Sequence, residues 1–214
     1  MHKEVILPPL QSDLGAAPSQ GAKVDLWHEV FAPHETEVLR LALQDQIAWR
    51  HDEIVMYGKA IPIPRLTAWY GDPGCVYTYS RITMEPCAWI EPLLAIKSKV
   101  DALCGLNFNS VLLNWYRDGA DAMSWHSDDE PELGSAPVIA SVSLGAERFF
   151  KIRRKPHRKG NPSRSIPLPD GSVLIMAGTT QRDYEHALAR TAKPVGSRIN
   201  LTFRQTLAQS ADPI

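Results

Sequence analysis

The strongest constraint on the fold is a strict two-residue alternation near the carboxyl end of the chain, in Arg198-Ile-Asn-Leu-Thr-Phe-Arg204. Polar and apolar side chains alternate there with the period of a β-strand that has one buried face. Two guanidinium groups on one face are costly to bury unless an anion meets them. Because arginine matches carboxylates well, the strand is predicted to bind a dicarboxylate; a solvated edge strand is the alternative.

Short strand patterns fill the second half of the chain. They fall at 109–117, 138–144, 147–154, 172–177 and 198–206, separated by turns rich in glycine, proline and charge. Upstream, residues 34–48 carry apolar side chains at helical spacing, and a second helix is predicted from Pro92 to a stop at Gly105. Helices first and strands second predict an α+β architecture, with helices supporting a β-core.

Length and composition predict one globular domain. With 214 residues, 44% of them hydrophobic and 22% charged, the chain can bury a sizeable core. Residues 1–25 are predicted to be a partly disordered leader, and 26–214 to form the domain. The three cysteines form no C-x-x-C pair, and no apolar run is long enough to span a membrane. We therefore expect a cytoplasmic protein that is a monomer.

Three residues form a candidate metal site. His126 and Asp128 are two positions apart, so on an extended strand their side chains share a face. His186 follows the apolar run 172–177, where a neighbouring strand could end beside the first pair. Two imidazoles and a carboxylate leave positions open on a non-haem Fe(II), whereas structural zinc sites close with four ligands. A packed or surface histidine is the alternative, but a dicarboxylate site nearby favours iron with 2-oxoglutarate and O2.

A basic segment lies between two of the predicted strands. From Arg148 to Arg164 the chain has eight lysine or arginine residues and no acidic residue. Such a run is typical either of a solvated hairpin or of a loop that contacts phosphates. Both interpretations stay open on composition alone.

Together these motifs resemble the AlkB-type Fe(II)/2-oxoglutarate dioxygenases, from about residue 56 to 206. The resemblance is carried by Asn114-x-Tyr116-x-Asp118, His126-x-Asp128-Asp129-Glu130, His186 and Arg198-x-Asn200-x-Thr202-x-Arg204. Tyr70-Gly71-Asp72 and Tyr77-Thr-Tyr79-Ser80 most resemble the branch that repairs double-stranded DNA. The family likeness implies a double-stranded β-helix (jelly-roll) core near 108–206 and nucleotide-recognition hairpins near 54–82.

The resemblance also implies a role for each candidate residue. Fe(II) is expected at His126, Asp128 and His186, and 2-oxoglutarate at Asn114, Tyr116, Arg198, Asn200 and Arg204, with Arg198 on the distal carboxylate. A base flipped out of the stack is expected to meet Tyr77, Tyr79, Ser80, Asp129 and Glu130. Met56, Tyr57 and Gly58 stand where that branch carries a wedge that fills the gap. Phosphate contacts are expected from Lys151, Arg153, Arg154, Lys155, Arg158 and Lys159. Each substrate residue also has a structural alternative as a strand face, a solvated turn or a hairpin tip.

The expected reaction is oxidative demethylation of 1-methyladenine and 3-methylcytosine in DNA, with Fe(II), O2 and 2-oxoglutarate, releasing formaldehyde, succinate and CO2. The expected partner is DNA, double-stranded or single-stranded, or RNA, and no membrane. An RNA demethylase or a protein hydroxylase with the same chemistry is one alternative. A non-catalytic nucleic-acid binder is another, but a pure binder has no use for an iron site.

Overall fold

Two antiparallel sheets face each other in this computed structural model, which describes residues 1–7, 21–56, 59–79, 82–156 and 162–207. The strands are β1 His2–Leu7, β2 Lys23–His28, β3 Glu53–Met56, β4 Lys59–Pro62, β5 Leu66–Gly71, β6 Tyr77–Tyr79, β7 Ile82–Met84, β8 Ser110–Tyr116, β9 Met123–His126, β10 Ile139–Gly145, β11 Arg148–Arg154, β12 Arg164–Leu168, β13 Val173–Ala177, β14 Tyr184–Leu188 and β15 Arg198–Arg204. The helices are α1 Pro33–Gln46, α2 Glu91–Cys104 and the short α3 Thr180–Asp183.

The sheet order is that of a jelly roll. Seven strands form the large sheet in the order β1-β2-β13-β10-β15-β8-β5, and four form the small sheet in the order β12-β11-β14-β9. β3 with β4, and β6 with β7, form two separate antiparallel pairs in the region where recognition hairpins were predicted. All five predicted strands of the second half are present within three residues of their predicted ends. The predicted α+β fold with a jelly-roll core is confirmed.

The two long helices cover the outer face of the large sheet. Leu43 of α1 and Ile96 of α2 are fully buried in one cluster with Val142 and Leu201 of the sheet. Pro92 lies in the first turn of α2, and Gly105 ends the helix in the left-handed conformation at φ 65°. The sequence predicted both ends of this helix to within one residue. The apolar face of β15 therefore packs against the helices, and its polar face points between the two sheets.

A second core cluster fills the space between the sheets. Leu174 and Met176 of the large sheet pack there with Phe150 of β11 and Ile166 of β12. Phe150 and Met176 of this cluster also border a cavity between the sheets, which the polar side chains of β15 line from the other side.

The prediction of a partly disordered leader over 1–25 is wrong at both ends, where β1 and the start of β2 form. His2–Leu7 forms a strand that pairs with β2, which in turn pairs with β13. Ile6, Val24 and Leu26 are buried in the cluster between the sheets, and this burial stabilises the added strands. The signal is only a few apolar residues beside a stretch of proline, glycine and serine. Residues 8–20 lie outside the described part of the chain.

No helix among the described residues is long and apolar enough to cross a membrane.

Candidate functional site

The polar face of β15 lines the cavity between the sheets. Arg198, Asn200, Thr202 and Arg204 are all less than a tenth exposed, and all four border this cavity. β15 pairs with β8 so that Arg198 lies opposite Tyr116 and Asn200 opposite Asn114. The five residues predicted to bind 2-oxoglutarate (Asn114, Tyr116, Arg198, Asn200 and Arg204) are thus brought to one cavity.

The two candidate histidine ligands come from neighbouring strands of the small sheet. His126 of β9 lies opposite His186 of β14, and the ring centroids are 4.2 Å apart. Nδ1 of His126 lies 2.8 Å from the carbonyl oxygen of Ser124 and must carry the proton to donate to it. That leaves Nε2 of His126 as the atom that can bind a metal, on the side of Asp128.

Asp128 completes the candidate metal site. Its carboxylate oxygens lie 3.8 Å from Nε2 of His126 and 3.9 Å from Nε2 of His186. One ligand atom from each residue lies within 4.8 Å of the others. Two imidazoles and one carboxylate are a donor set that suits Fe(II) with open positions. The residues present therefore fit the predicted metal.

Electrostatics keep these groups in the forms that bind a metal. Burial alone would raise the pKa of Asp128, but the Arg204 guanidinium, which donates to Oδ1 at 2.8 Å, holds that pKa below its ordinary value. Burial, together with the neighbouring His126, lowers the pKa of His186 to about 3. A charged carboxylate and a neutral imidazole are the ligand forms a divalent metal requires.

Arg198 provides a buried positive charge at the other end of the cavity. Its side chain donates from Nη2 to the Ser143 hydroxyl at 2.9 Å and stacks 5.4 Å from the ring centroid of Tyr116. Within the described residues its Nε has no hydrogen-bond partner and no carboxylate forms an ion pair with it. Burial and the nearby charge of Arg148 lower its pKa to about 10. A carboxylate ligand would supply the missing acceptor and charge.

Sequence reasoning missed a buried arginine behind Asn114. Arg65, which immediately precedes β5, donates from Nε to Oδ1 of Asn114 at 2.7 Å. This contact fixes the orientation of the Asn114 amide, which borders the cavity. Asn200 is fixed in a similar way, because its Nδ2 donates to Oγ of Ser141 at 2.8 Å and to the carbonyl of Val142 at 2.9 Å. A single arginine between prolines and a strand gives no sequence signal for this role.

Gln181 is a second residue that the sequence did not reveal. Its side-chain oxygen accepts a hydrogen bond from the backbone N–H of Asp128 at 3.0 Å, and its Nε2 lies 3.4 Å from Sδ of Met176. The neighbouring Ser127 hydroxyl donates to the carbonyl of Tyr184 at 2.9 Å. α3 and the start of β14 therefore hold the segment that carries Asp128, the carboxylate of the candidate metal site.

The predicted base-contacting residues are placed only in part. Tyr77 and Tyr79 lie on β6, and Met56, of the predicted wedge, ends β3. Asp129 is exposed and forms an ion pair with Lys155 at 3.4 Å, while Glu130 directly precedes a 3-10 turn at Pro131–Leu133. Ser80, Tyr57, Gly58, Arg158 and Lys159 lie outside the described residues.

Two of the residues predicted to contact phosphates, Arg153 and Lys155, also form contacts within the protein. Arg153 forms an ion pair with Glu185 at 2.5 Å and stacks 3.9 Å from the ring centroid of Trp125. Lys155 is bound by Asp129 and donates to the carbonyl of Gln181 at 2.9 Å. Their charges are thus engaged within the protein. Lys151 and Arg154 have no ion pair among the described residues.

Comparisons with known proteins agree with this geometry. The family model of the 2OG-Fe(II) oxygenase superfamily matches residues 23–204. The alpha-ketoglutarate-dependent dioxygenase alkB homolog 3 of Rattus norvegicus is 40% identical over 199 residues, which cover 90% of this chain and 67% of that protein. The DNA oxidative demethylase ALKBH2 of Homo sapiens is 42% identical over 159 residues, 72% of this chain and 61% of that protein. A solved structure described as "The structure of OsALKBH1" superimposes with a TM-score of 0.61 at 18% identity, over 85% of this chain and 97% of that one, and it shows the shared fold.

Proposed function

Because this chain belongs to the 2OG-Fe(II) oxygenase superfamily, and within it to the AlkB-type dioxygenases, we propose that it repairs DNA by removing methyl groups from 1-methyladenine and 3-methylcytosine. The protein is an Fe(II)- and 2-oxoglutarate-dependent dioxygenase and an oxidative demethylase. Beyond this chemistry, we propose that the substrate polymer is DNA and that the lesions are these two methylated bases.

One observation carries the enzymatic part of the proposal. The triad of His126, Asp128 and His186 and the buried Arg198 border the same cavity. A 2-oxoglutarate molecule that reaches both ends can meet the metal with its keto-acid end and Arg198 with its distal carboxylate. A protein that only bound nucleic acid would gain nothing from a buried arginine without a carboxylate partner, which costs stability.

Each residue of the site has a task in this reaction. His126, Asp128 and His186 would hold Fe(II), which with 2-oxoglutarate and O2 supplies the oxidising chemistry and leaves succinate and CO2. Arg198 and Tyr116 would orient the co-substrate. The shape of the cavity along the polar face of β15 would exclude ligands that do not fit it. Once the N-methyl carbon is hydroxylated, the carbon–nitrogen bond breaks and the methyl carbon leaves as formaldehyde, so the protein needs no side-chain nucleophile.

DNA is the polymer that the similarity favours, because a relative 42% identical to this chain is named as a DNA oxidative demethylase. A methylated base edge is hidden in a duplex, so the nucleotide must be flipped out or already unpaired. Asp129 follows the metal ligand Asp128 directly and is exposed, so it can accept a hydrogen bond from the exocyclic amine of adenine or cytosine.

Substrate comparison tests this proposal. The purified enzyme, with iron, 2-oxoglutarate and O2, is given 1-methyladenine in duplex DNA, in single-stranded DNA and in RNA, and formaldehyde and succinate are measured. The proposal expects turnover on DNA above that on RNA. Faster turnover on RNA than on either form of DNA would replace it by an RNA demethylase.

The predicted wedge at Tyr57 is tested in the same assay. Tyr57→Ala is expected to lose activity on duplex DNA while keeping its activity on single-stranded DNA, because only the duplex needs the gap to be filled. Equal activity of Tyr57→Ala and the unmodified enzyme on duplex DNA would show that Tyr57 does not act as a wedge.

A further inference from the structure

A surface groove runs along the outer face of the small sheet, away from the candidate active site. It is bordered by β11, by Ser165 of β12 and by the segment 189–195 that follows β14. The floor is rigid, since Arg148 donates to the carbonyls of Asp118, Asp121 and Ala189 at 2.8 to 3.0 Å. Arg148 is the one residue bordering this groove that we connect with the candidate 2-oxoglutarate site, through its contact with the Tyr116 ring and its charge near Arg198.

Strand register places the groove directly behind the metal ligands. Lys151 of β11 pairs with Ala187, and the next pair along the two strands is Ile152 with His186. Because successive side chains point to opposite faces of a sheet, Lys151 points outward where Ile152 and His186 point inward. Lys151 and the candidate metal ligand His186 therefore lie on opposite faces of the same part of the small sheet.

The groove has basic charge that the protein does not neutralise. Arg190 and Lys193 are exposed and Lys151 is half-buried, and in the described ranges none of the three forms an ion pair. Glu147 is the one acidic residue that borders it. Arg153, two residues further along β11 from Lys151, is by contrast engaged by Glu185. These three basic side chains give the groove a positive charge that suits the phosphates of a nucleic acid.

An exposed aromatic ring lies among these charges. Phe149 is 56% exposed and stands opposite Pro167 in the strand register. Phe149 also borders the groove, so its exposed ring is available to a ligand there. An exposed aromatic ring beside basic side chains can stack an unpaired base while the charges bind the backbone of a single-stranded nucleic acid.

We propose that this groove, formed by Phe149, Lys151, Arg190 and Lys193, binds a single-stranded segment of the DNA that flanks the damaged nucleotide. The inference rests on the proposed function, because it assigns the flanking strand of that substrate to a second contact surface. An unpaired base stacks on Phe149, and the neighbouring phosphates lie against the three basic side chains. Binding there is independent of sequence and raises the affinity for long substrates without touching the reacting atoms.

Binding of an unmodified, fluorescently labelled single-stranded DNA of roughly 20 nucleotides tests the groove. Arg190→Ala/Lys193→Ala is compared with Lys97→Ala/Lys99→Ala, which removes the same charge from α2 on the far side of the large sheet. The groove variant is expected to bind more weakly than the control, and its slope of log Kd against log salt is expected to fall by roughly 1.4, about 0.7 for each lost phosphate contact. Equal Kd values and slopes for the two variants would overturn the proposal.

The aromatic contact has its own test. Phe149→Ala is expected to weaken binding roughly 5- to 100-fold, and Phe149→Trp to restore it, because either ring can stack on a base. If Phe149→Ala binds as tightly as the unmodified protein, the stacking role is excluded.

Demethylation of a methylated trinucleotide separates this inference from the proposed function. A trinucleotide is too short to occupy both surfaces, so the groove variants should process it at the unmodified rate while their KM for the long substrate rises. Failure of the unmodified enzyme on every methylated DNA would reject the proposed function instead. Normal KM values of the groove variants on the long substrate would reject only the groove.

Discussion

The guanidinium of Arg204 lies 2.8 Å from the carboxylate of Asp128, so the strand that carries both arginines is joined directly to the metal triad. Both side chains are almost completely buried. A charge-assisted hydrogen bond in such surroundings holds the carboxylate in one position. The same contact keeps Asp128 ionised, so the triad is ready to accept a divalent metal.

Breaking this buried pair should cost much more stability than breaking an exposed one. Asp128→Asn removes the charge that Arg204 contacts at 2.8 Å, and we expect the free energy of unfolding of the metal-free protein to fall by about 3 kcal/mol, because breaking a buried charge pair is strongly destabilising. Urea denaturation measures it. Asp183→Asn is the matched control, since Asp183 pairs with the exposed Arg182, and it should cost less than about 1 kcal/mol. Equal losses for both variants would show that the Arg204 contact is not a stabilising pair.

Arg198→Met should weaken 2-oxoglutarate binding while leaving metal binding intact. Methionine keeps much of the side-chain volume but removes the charge and donors, so the affinity should fall by about 2–5 kcal/mol. Calorimetric titration of 2-oxoglutarate into the Mn(II)-loaded protein measures this loss. Arg50→Met, which changes an arginine whose side chain is 54% exposed, serves as control. An unchanged 2-oxoglutarate affinity in Arg198→Met would show that the distal carboxylate does not bind at Arg198.

Gln181→Ala should loosen the metal site without removing a ligand. The backbone N–H of Asp128 would lose its acceptor, and residues that orient metal ligands typically contribute about 10- to 100-fold in affinity. Titration with Co(II), followed by its visible spectrum, measures both affinity and ligand geometry. Gln205→Ala removes a comparable amide that donates to the carbonyl of Asn107 outside the site. If both variants bind Co(II) with the same affinity and spectrum, Gln181 does not position the metal ligands.

The three cysteines should differ in reactivity. Burial, together with the nearby Asp101, raises the pKa of Cys104 to about 11, while Cys87 is exposed. Because the thiolate is the nucleophile, iodoacetamide at pH 8 should modify Cys104 at least about tenfold more slowly than Cys87. The rate at Cys104 should rise as the pH approaches its pKa. Peptide mapping by mass spectrometry follows each site, and equal rates at pH 8 would contradict the burial of Cys104.

The sequence predicted those strands and helices in which one face is uniformly apolar. In β15 the alternation of arginine with isoleucine, leucine and phenylalanine predicts one buried face, and α2 has both a proline start and a glycine stop. β9 and β14 were not predicted as strands. β9 is four residues long and has no fully buried side chain, and β14 begins with two half-buried residues, so neither shows a clear period.

Contacts between distant residues limited the prediction of the site. The bond from Asp128 to Gln181 joins positions 53 residues apart and exists because α3 packs beside the end of β9. Arg153 lies in the basic run for which phosphate contacts are predicted, and the register of β11 and β14 sets it opposite Glu185. The composition of one strand does not show which acidic residue of the neighbouring strand lies opposite a given arginine. The candidate ligands could be predicted from the sequence, and the residues that orient them could not.

Mass spectrometry of a methylated oligonucleotide tests the central claim most directly. A single-stranded DNA with one 1-methyladenine is incubated with the enzyme, Fe(II), 2-oxoglutarate and O2. We predict that the oligonucleotide loses the mass of one methylene group, that succinate and formaldehyde appear in equal amounts, and that His126→Ala abolishes all three changes. An unchanged oligonucleotide mass with the iron-loaded, correctly folded enzyme, or the same loss with His126→Ala, would contradict the account.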